Sequence, residues 1–248
     1  MVKLTEWRLH RDGPTPGARN MALDHALAEA CADAAADGSA ALRLYEWAEP
    51  TVSFGRNEPG ARVAAAEAYV RRPTGGRAVL HHRELTYAVV VPERALGGPR
   101  AVYRAVNEAL VEGLRLLGAD VTLAGDGPAL RPDAGPCFDE PAAGEVVASG
   151  GKLVGSAQVR MDGALLQHGS ILIEDDQAAL GSASAARPLV RLVAGVTVGE
   201  VRDAVEEGFR RRFAGARWHA GRYGGALLAA ADRHQKERYG NDDWTWRR

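Results

Sequence analysis

The sequence has little sulfur, almost no net charge and no long apolar run, and each shortage removes a class of protein. Two cysteines in 248 residues do not build a disulfide framework, so each thiol is read by itself. Lys and Arg total 31 against 32 for Asp and Glu, a net charge of -1, which is not the basic field that dominates nucleic-acid binding. No stretch approaches the roughly 20 apolar residues of a membrane span. The start MVKLTEWRLHRDG lacks the apolar stretch of a secretory signal. These absences point to a cytoplasmic protein that meets neither nucleic acid nor membrane. What is there is a chain with 46% hydrophobic residues, enough to bury a full core. No linker or repeat divides it, so residues 1–248 read as one domain.

The most informative stretch is 137–173, where Cys137 precedes three strand-like runs, 145–148, 152–160 and 164–173. Ser149-Gly150-Gly151 and Met161-Asp162-Gly163 join them, and glycine-rich turns between β-branched runs are hairpin signals. A three-stranded antiparallel meander is expected, with Lys152 opening the middle strand and His168 on the next, both facing one pocket. Gly155 and Gly169 mark either close approach of a ligand or backbone, or simple bulges. Upstream, a strand around Trp7 and Leu9 should stop at the turn Asp12-Gly13-Pro14. A helix over about 18–36, strands at 42–47 and 51–54, a short alanine-rich helix at 62–69, a central strand at 85–91 and a helix from Val102 to Leu117 should follow. Downstream, Thr197-Val198-Gly199-Glu200 has the form of a capping box. It should start a helix reaching Phe213, before a strand near Trp218 and a last helix over about 226–239.

The chemistry-bearing residues divide by context. Leu23, Leu27 and Cys31 recur at four-residue spacing on one helical face, which makes Cys31 a small buried hydrophobe. Cys137 follows the loop DGPALRPDAGP. On pattern alone it is a bystander or a nucleophile, because loops carry function but lone loop thiols are common. The turn Pro73-Thr74-Gly75-Gly76, entered by Arg71-Arg72 and followed by Arg77, either offers backbone N–H groups to an oxygen or is a tight hairpin with solvated arginines. It is not a P-loop, since no Gly-Lys-Ser/Thr follows. His81, His82 and Glu84 do not make a metal site, because neighbouring residues on a strand point to opposite faces. One histidine should face the pocket and the other solvent.

Several of these segments together resemble a known family. Cys137-Phe138, Gly151-Lys152, Gly155-Ser156-Ala157-Gln158 and Leu166-Gln167-His168-Gly169-Ser170 are similar to the central block of the lipoate-protein ligase and octanoyltransferase family. RRPTGGRAVLHHRELTYAVVVP, Asn20 to Asp24 and the ending Tyr239 to Trp244 are similar to its other blocks. The resemblance implies an α+β fold of the biotin/lipoate-protein ligase kind, a mixed, largely antiparallel sheet flanked by helices. It implies Cys137 and Lys152 as catalytic residues. For substrate binding it implies Arg72, Thr74, Gly75, Gly76, Arg77, His81, Gly155, Ser156, Ala157, His168 and Gly169. No cofactor or metal is implied. The implied activity moves octanoyl from acyl carrier protein, through a cysteine thioester, to a lysine of a lipoyl-domain protein such as the glycine-cleavage H protein or a 2-oxoacid dehydrogenase subunit. Gly55-Arg56-Asn57 looks instead like the ligase branch, which activates the free acid with ATP. An amidotransferase between lipoyl domains and a non-catalytic binder of such domains are further alternatives. The end at Arg248 leaves no room for the accessory C-terminal domain of many ligases, which favours the transferase.

Overall fold

The computed structural model describes residues 2–33, 38–125, 138, 143–161, 163–180 and 186–247. In chain order its elements are β1 (Glu6–Thr15), α1 (Gly17–Asp33), β2 (Ser39–Trp47), β3 (Thr51–Phe54), β4 (Ala68–Arg71), β5 (Val79–His81) and β6 (Glu84–Pro92). Next come α2 (Pro99–Leu116), β7 (Thr122–Leu123), β8 (Val146–Ala148), β9 (Gly151–Lys152), β10 (Val154–Met161) and β11 (Ala164–Leu172). The chain closes with α3 (Val198–Arg212), β12 (Arg217–Ala220), α4 (Gly225–His234) and α5 (Asp242–Thr245). The main sheet has the order β10-β11-β6-β2-β1-β12. β1 is parallel to β2 and β12, and the other neighbours are antiparallel, the mixed sheet that the resemblance implies.

Strand side chains alternate between faces, and this sheet buries both. Leu42 and Leu44 of β2, with Val89 and Val91 of β6, join a core with Val106 and Leu110 of α2 and Val205 and Phe209 of α3. The intervening Ala41, Tyr45, Ala88 and Val90 pack instead with Met21 and Leu27 of α1 and Ala231 of α4. Cys31 lies on that second, buried face. The capping box forms as read: Thr197 Oγ1 accepts from the Glu200 amide, and the Glu200 carboxylate accepts from the Thr197 amide at 2.8 Å.

Three expectations are corrected. Asp12-Gly13-Pro14 does not end the first strand; β1 continues through it, with Arg11 opposite Leu44 and Pro14 opposite Glu46. Two residues thus oppose one, a bulge, and it leaves Asp12 2.7 Å from Arg43 Nε. The alanine-rich segment 62–69 is not a helix. It is too short to nucleate one cheaply, and Ala68–Arg71 gains a parallel ladder with β3 instead. The meander also divides. Its first turn is a hairpin, Ser149 and Gly150 both having positive φ (47° and 76°), as a two-residue type I′ turn requires. At Leu153, however, the chain changes sheets: its amide donates to Val146 O in β8, and its carbonyl accepts from the Leu172 amide in β11. So β8 and β9 form a small sheet with β7, while β10 and β11 belong to the large one. The end of the first helix at 34–37, most of the loop 124–136, Asp162 and Cys137 lie outside the described residues.

Candidate active site

A narrow cavity opens between the main sheet and the small sheet β4-β3-β5. Met21, Tyr45, Trp47 and Val79 give it an apolar lining. The edge strand β10 adds Gly155, Ser156 and Ala157 to the wall, and its neighbour β11 adds His168, Gly169 and Ser170. The two strand glycines mark close approach. A Cβ at Gly169 would stand 2.3 Å from Gly155 O, and one at Gly155 would stand 2.9 Å from the Phe138 ring, both inside contact distance.

Two buried chains of hydroxyl, imidazole and carboxylate brace this cavity. In the first, Asp24 Oδ2 accepts from His168 Nδ1 at 3.1 Å, leaving Nε2 to take the Thr74 hydroxyl at 2.8 Å. Burial pushes the His168 pKa down, opposed by Asp24, so the ring is held neutral. In the second, His81 Nδ1 faces Glu84 Oε1 at 2.8 Å and its Nε2 faces Ser53 Oγ at 2.7 Å. The His81 ring also stacks on Trp47, centroids 3.9 Å apart. His82, in contrast, is exposed beside Asp176, so the two histidines divide between pocket and solvent as expected.

Arg72 ties the glycine turn to the floor. Its guanidinium donates to the carbonyls of Ser53 at 2.8 Å, Gly75 at 2.9 Å and Arg77 at 2.6 Å. Gly55 is required beneath the turn, because any Cβ there would fall 1.8 Å from Gly76 O. Lys152 is buried, and its Nζ lies 2.8 Å from Glu145 Oε1 and 5.3 Å from the centre of the Phe138 ring. Its ε-carbon sits 3.5 Å from where a Gly155 Cβ would stand. It therefore borders the cavity from behind that glycine.

The structure thus brings Arg72, Gly76, His81, Gly155, Ser156, Ala157, His168 and Gly169 to one cavity. Thr74 and Gly75 contact it through His168 and Arg72, and Arg77 offers its carbonyl to Arg72 at the rim. Sequence reading missed Asp24, Tyr45, Trp47 and Ser53 as site residues, and weighed Glu84 only as a metal ligand, not as the partner of His81. Asp24 and Glu84 both lie within segments similar to the family, and Tyr45, Trp47 and Ser53 carried no such signal.

Outside the cavity, α1 and α4 bring His25, Glu29 and His234 within 4.8 Å of one another, a grouping that chain spacing did not disclose. The two imidazoles are stacked face to face, centroids 3.7 Å apart and planes 8° apart. Their in-plane lone pairs therefore run side by side instead of converging on an ion. Burial, together with the neighbouring His234 and arginines, lowers the His25 pKa to about 3.

Comparison with known proteins agrees with this geometry. The model of the lipoyl protein ligase A/B catalytic domain matches residues 16–210. A protein named octanoyltransferase LipM from Kyrpidia tusciae is 38% identical over 98% of this chain and 99% of its own length. Another of that name from Symbiobacterium thermophilum is 42% identical over 69% of this chain and 67% of its own. Among solved structures, the bipartite lipoate protein ligase of Thermoplasma acidophilum superposes with a TM-score of 0.74 at 22% identity, covering 98% of this chain and 96% of that one. With the ligase-like fold, the glycine-lined cavity and these matches in hand, the chain belongs to the lipoyl protein ligase A/B catalytic domain family.

Proposed function

We propose that this protein is an octanoyltransferase of lipoate assembly. It takes octanoyl from acyl carrier protein onto Cys137 and delivers it to one lysine of a lipoyl-domain protein, either a glycine-cleavage H protein or a 2-oxoacid dehydrogenase subunit. The observation that carries this reading is the 38% identity to a LipM octanoyltransferase across 98% of the chain and 99% of the relative. In the first half-reaction the Cys137 thiolate attacks the donor thioester carbonyl, and the new C–S bond forms as the carrier thiol leaves. In the second, the neutral amine of the acceptor lysine attacks. The C–N bond forms, the C–S bond breaks, and the proton lost by nitrogen balances the returning thiolate.

A cysteine thiol has an ordinary pKa of about 8.5 and needs a nearby cation to react at neutral pH. Lys152, buried behind Gly155, is the cation this mechanism uses, and it also stabilises the oxyanion of each tetrahedral intermediate. The Gly75-Gly76 turn, braced by Arg72, supplies backbone donors at the rim, and the apolar cavity holds the acyl chain. Gly55-Arg56-Asn57 keeps the ATP-dependent ligase in view as the alternative. The deciding experiment mixes the protein with octanoyl-carrier protein and a lipoyl domain, with and without ATP, and follows intact mass. Transfer without nucleotide, through an adduct lost in Cys137→Ala, is expected. Transfer only from free octanoate plus ATP would give the site to the ligase.

A further inference from the structure

Thr74 opens the glycine turn and is buried, and three polar holds fix the turn from beneath. The Thr74 carbonyl accepts from the Arg56 amide at 2.8 Å, the Gly75 carbonyl accepts from Arg72 at 2.9 Å, and the Thr74 hydroxyl meets His168 Nε2 at 2.8 Å. A trans peptide is planar, with each C=O opposed to the N–H that follows it. Carbonyls held against these partners therefore turn the Gly75 and Gly76 amides away from them, and both glycines are exposed. Of the three holds, only the one at the hydroxyl depends on where a ring proton sits. A neutral imidazole has one N–H and one lone pair, whereas a carboxylate only accepts. Asp24 is 0% exposed; its Oδ1 accepts from Arg43 at 2.9 Å, and its Oδ2 accepts from the Tyr45 hydroxyl at 3.0 Å and from His168 Nδ1 at 3.1 Å. With the ring proton claimed at Nδ1, Nε2 is the acceptor and the Thr74 hydroxyl is its donor. The opposite tautomer would set a lone pair against the carboxylate and leave the hydroxyl proton without this acceptor.

We propose that Asp24 is a positioning residue: by keeping the His168 proton on Nδ1 it makes Nε2 the latch for the Thr74 hydroxyl, and so holds the glycine turn in register with the cavity. This inference rests on the octanoyltransferase reading, in which the amides of that turn serve acyl transfer. Such donors act only when fixed before the charge develops, because a turn that must reorganise gives back what it stabilises. A carboxylate that merely neutralised Arg43 would have no link to Thr74. A carboxylate that works through the His168 tautomer must share its effect with that hydroxyl.

The test joins long-range 15N–1H correlation spectra of the full chain labelled with 15N-histidine to the single-turnover rate of octanoyl-adduct formation from octanoyl-carrier protein. The His168 signals are assigned by their loss in His168→Gln, and thermal melts report which variants are folded. In the wild type His168 should carry its proton on Nδ1. Asp24→Asn leaves an oxygen for Arg43, which also keeps Asp12 and Asn20, and turns an N–H toward the ring, a change that leaves geometry in place and reverses the tautomer. It should move the proton to Nε2 and slow adduct formation about 100-fold, the penalty of misplacing a group in the site. Thr74→Val, which touches neither Arg43 nor Tyr45, should slow it comparably with the proton still on Nδ1, and Thr74→Ser should restore most of the rate. Since each change opens the same latch, the double variant Asp24→Asn with Thr74→Val should be no slower than either alone, whereas independent losses would multiply. The wild-type tautomer and the Thr74→Val and Thr74→Ser pair decide the matter even if Asp24→Asn fails to fold. A wild-type chain that takes no octanoyl adduct overturns the underlying reading and the latch with it. A wild-type adduct accompanied by a proton on Nε2, by near-normal rates in folded Thr74→Val, or by losses that multiply in the double variant overturns the latch alone.

Discussion

Arg43 and Lys152 are both sealed from solvent against a carboxylate, with side chains 0% and 2% exposed, yet their surroundings assign them different work. Arg43 is bedded into architecture. Its Nε reaches Asp12 and Tyr223, its Nη1 reaches Asp24 and the Asn20 carbonyl, and its Nη2 reaches the Asn20 side chain. Those partners come from the β1 bulge, from α1 and from the segment before α4, so one planar guanidinium ties three parts of the chain to β2. A fork of fixed donors suits that task. Lys152 instead pairs a compact ammonium from the β8-β9 hairpin with Glu145, beside Gly155, whose missing side chain makes room for the Phe138 ring. A buried ion pair is weak evidence of stabilisation in general. The geometry around each cation, and not its burial, separates the structural tie of Arg43 from the charge we propose for catalysis.

The sharpest way to break this comparison is to remove each cation in turn. Lys152→Met should slow acyl-enzyme formation about 100- to 1000-fold, as losing an oxyanion donor does. Because it also strands Glu145, the paired change Lys152→Met with Glu145→Gln is needed to separate rate from stability. Lys152→Arg should not restore the rate, since a planar fork does not replace a point charge in a tight site. Stopped single-turnover assays of the adduct read both, and near-normal rates in the folded double variant would remove the lysine from the chemistry.

Arg43→Met should behave the other way round. It leaves Asp24 buried without its main partner, at a cost of about 3–5 kcal/mol, or roughly 6–20 °C in melting temperature for a chain of this size. The surviving folded fraction should retain catalysis at the cysteine. An undiminished Tm would deny the tie.

A smaller effect follows from the histidines that are buried neutral. His10 is lowered to about 4 and His25 to about 3, both chiefly by burial, and His168 is lowered by the same cause. Their folded values lie below the ordinary histidine value of about 6.5, so the unfolded chain takes up protons first as pH falls. The stability held by the neutral rings is whole above about pH 6.5 and is lost progressively toward pH 4. Melts across pH 7.5 to 4.5 should show this decline, and His25→Asn should flatten it. A flat wild-type profile would contradict the neutral assignment. Smallest of all, Thr197→Ala should cost about 1 kcal/mol through the lost helix cap and leave acyl transfer untouched. A change in turnover there would show that α3 communicates with the site.

The sequence by itself determined whatever depends on near neighbours. The I′ turn at Ser149-Gly150, the capping box at Thr197 and Glu200, the buried face bearing Cys31, and the opposite facing of His81 and His82 all follow from spacings of one to four residues. Local backbone geometry alone settles these. The family blocks added the identities of the cavity residues, from Arg72 to Gly169. Only the tertiary structure decided that His168 meets Asp24, 144 positions away, that Arg43 in the apolar run of β2 is a tie and not a surface charge, and that Phe138 seats at Gly155. Such pairings depend on the strand order β10-β11-β6-β2-β1-β12 and on which helix covers which face. The sheet changeover at Leu153 was hidden for the same reason. A strand's pattern records which side chains alternate, whereas its partner is set by where both lone pairs and hydrogens of the backbone find their bonds once the whole sheet has assembled.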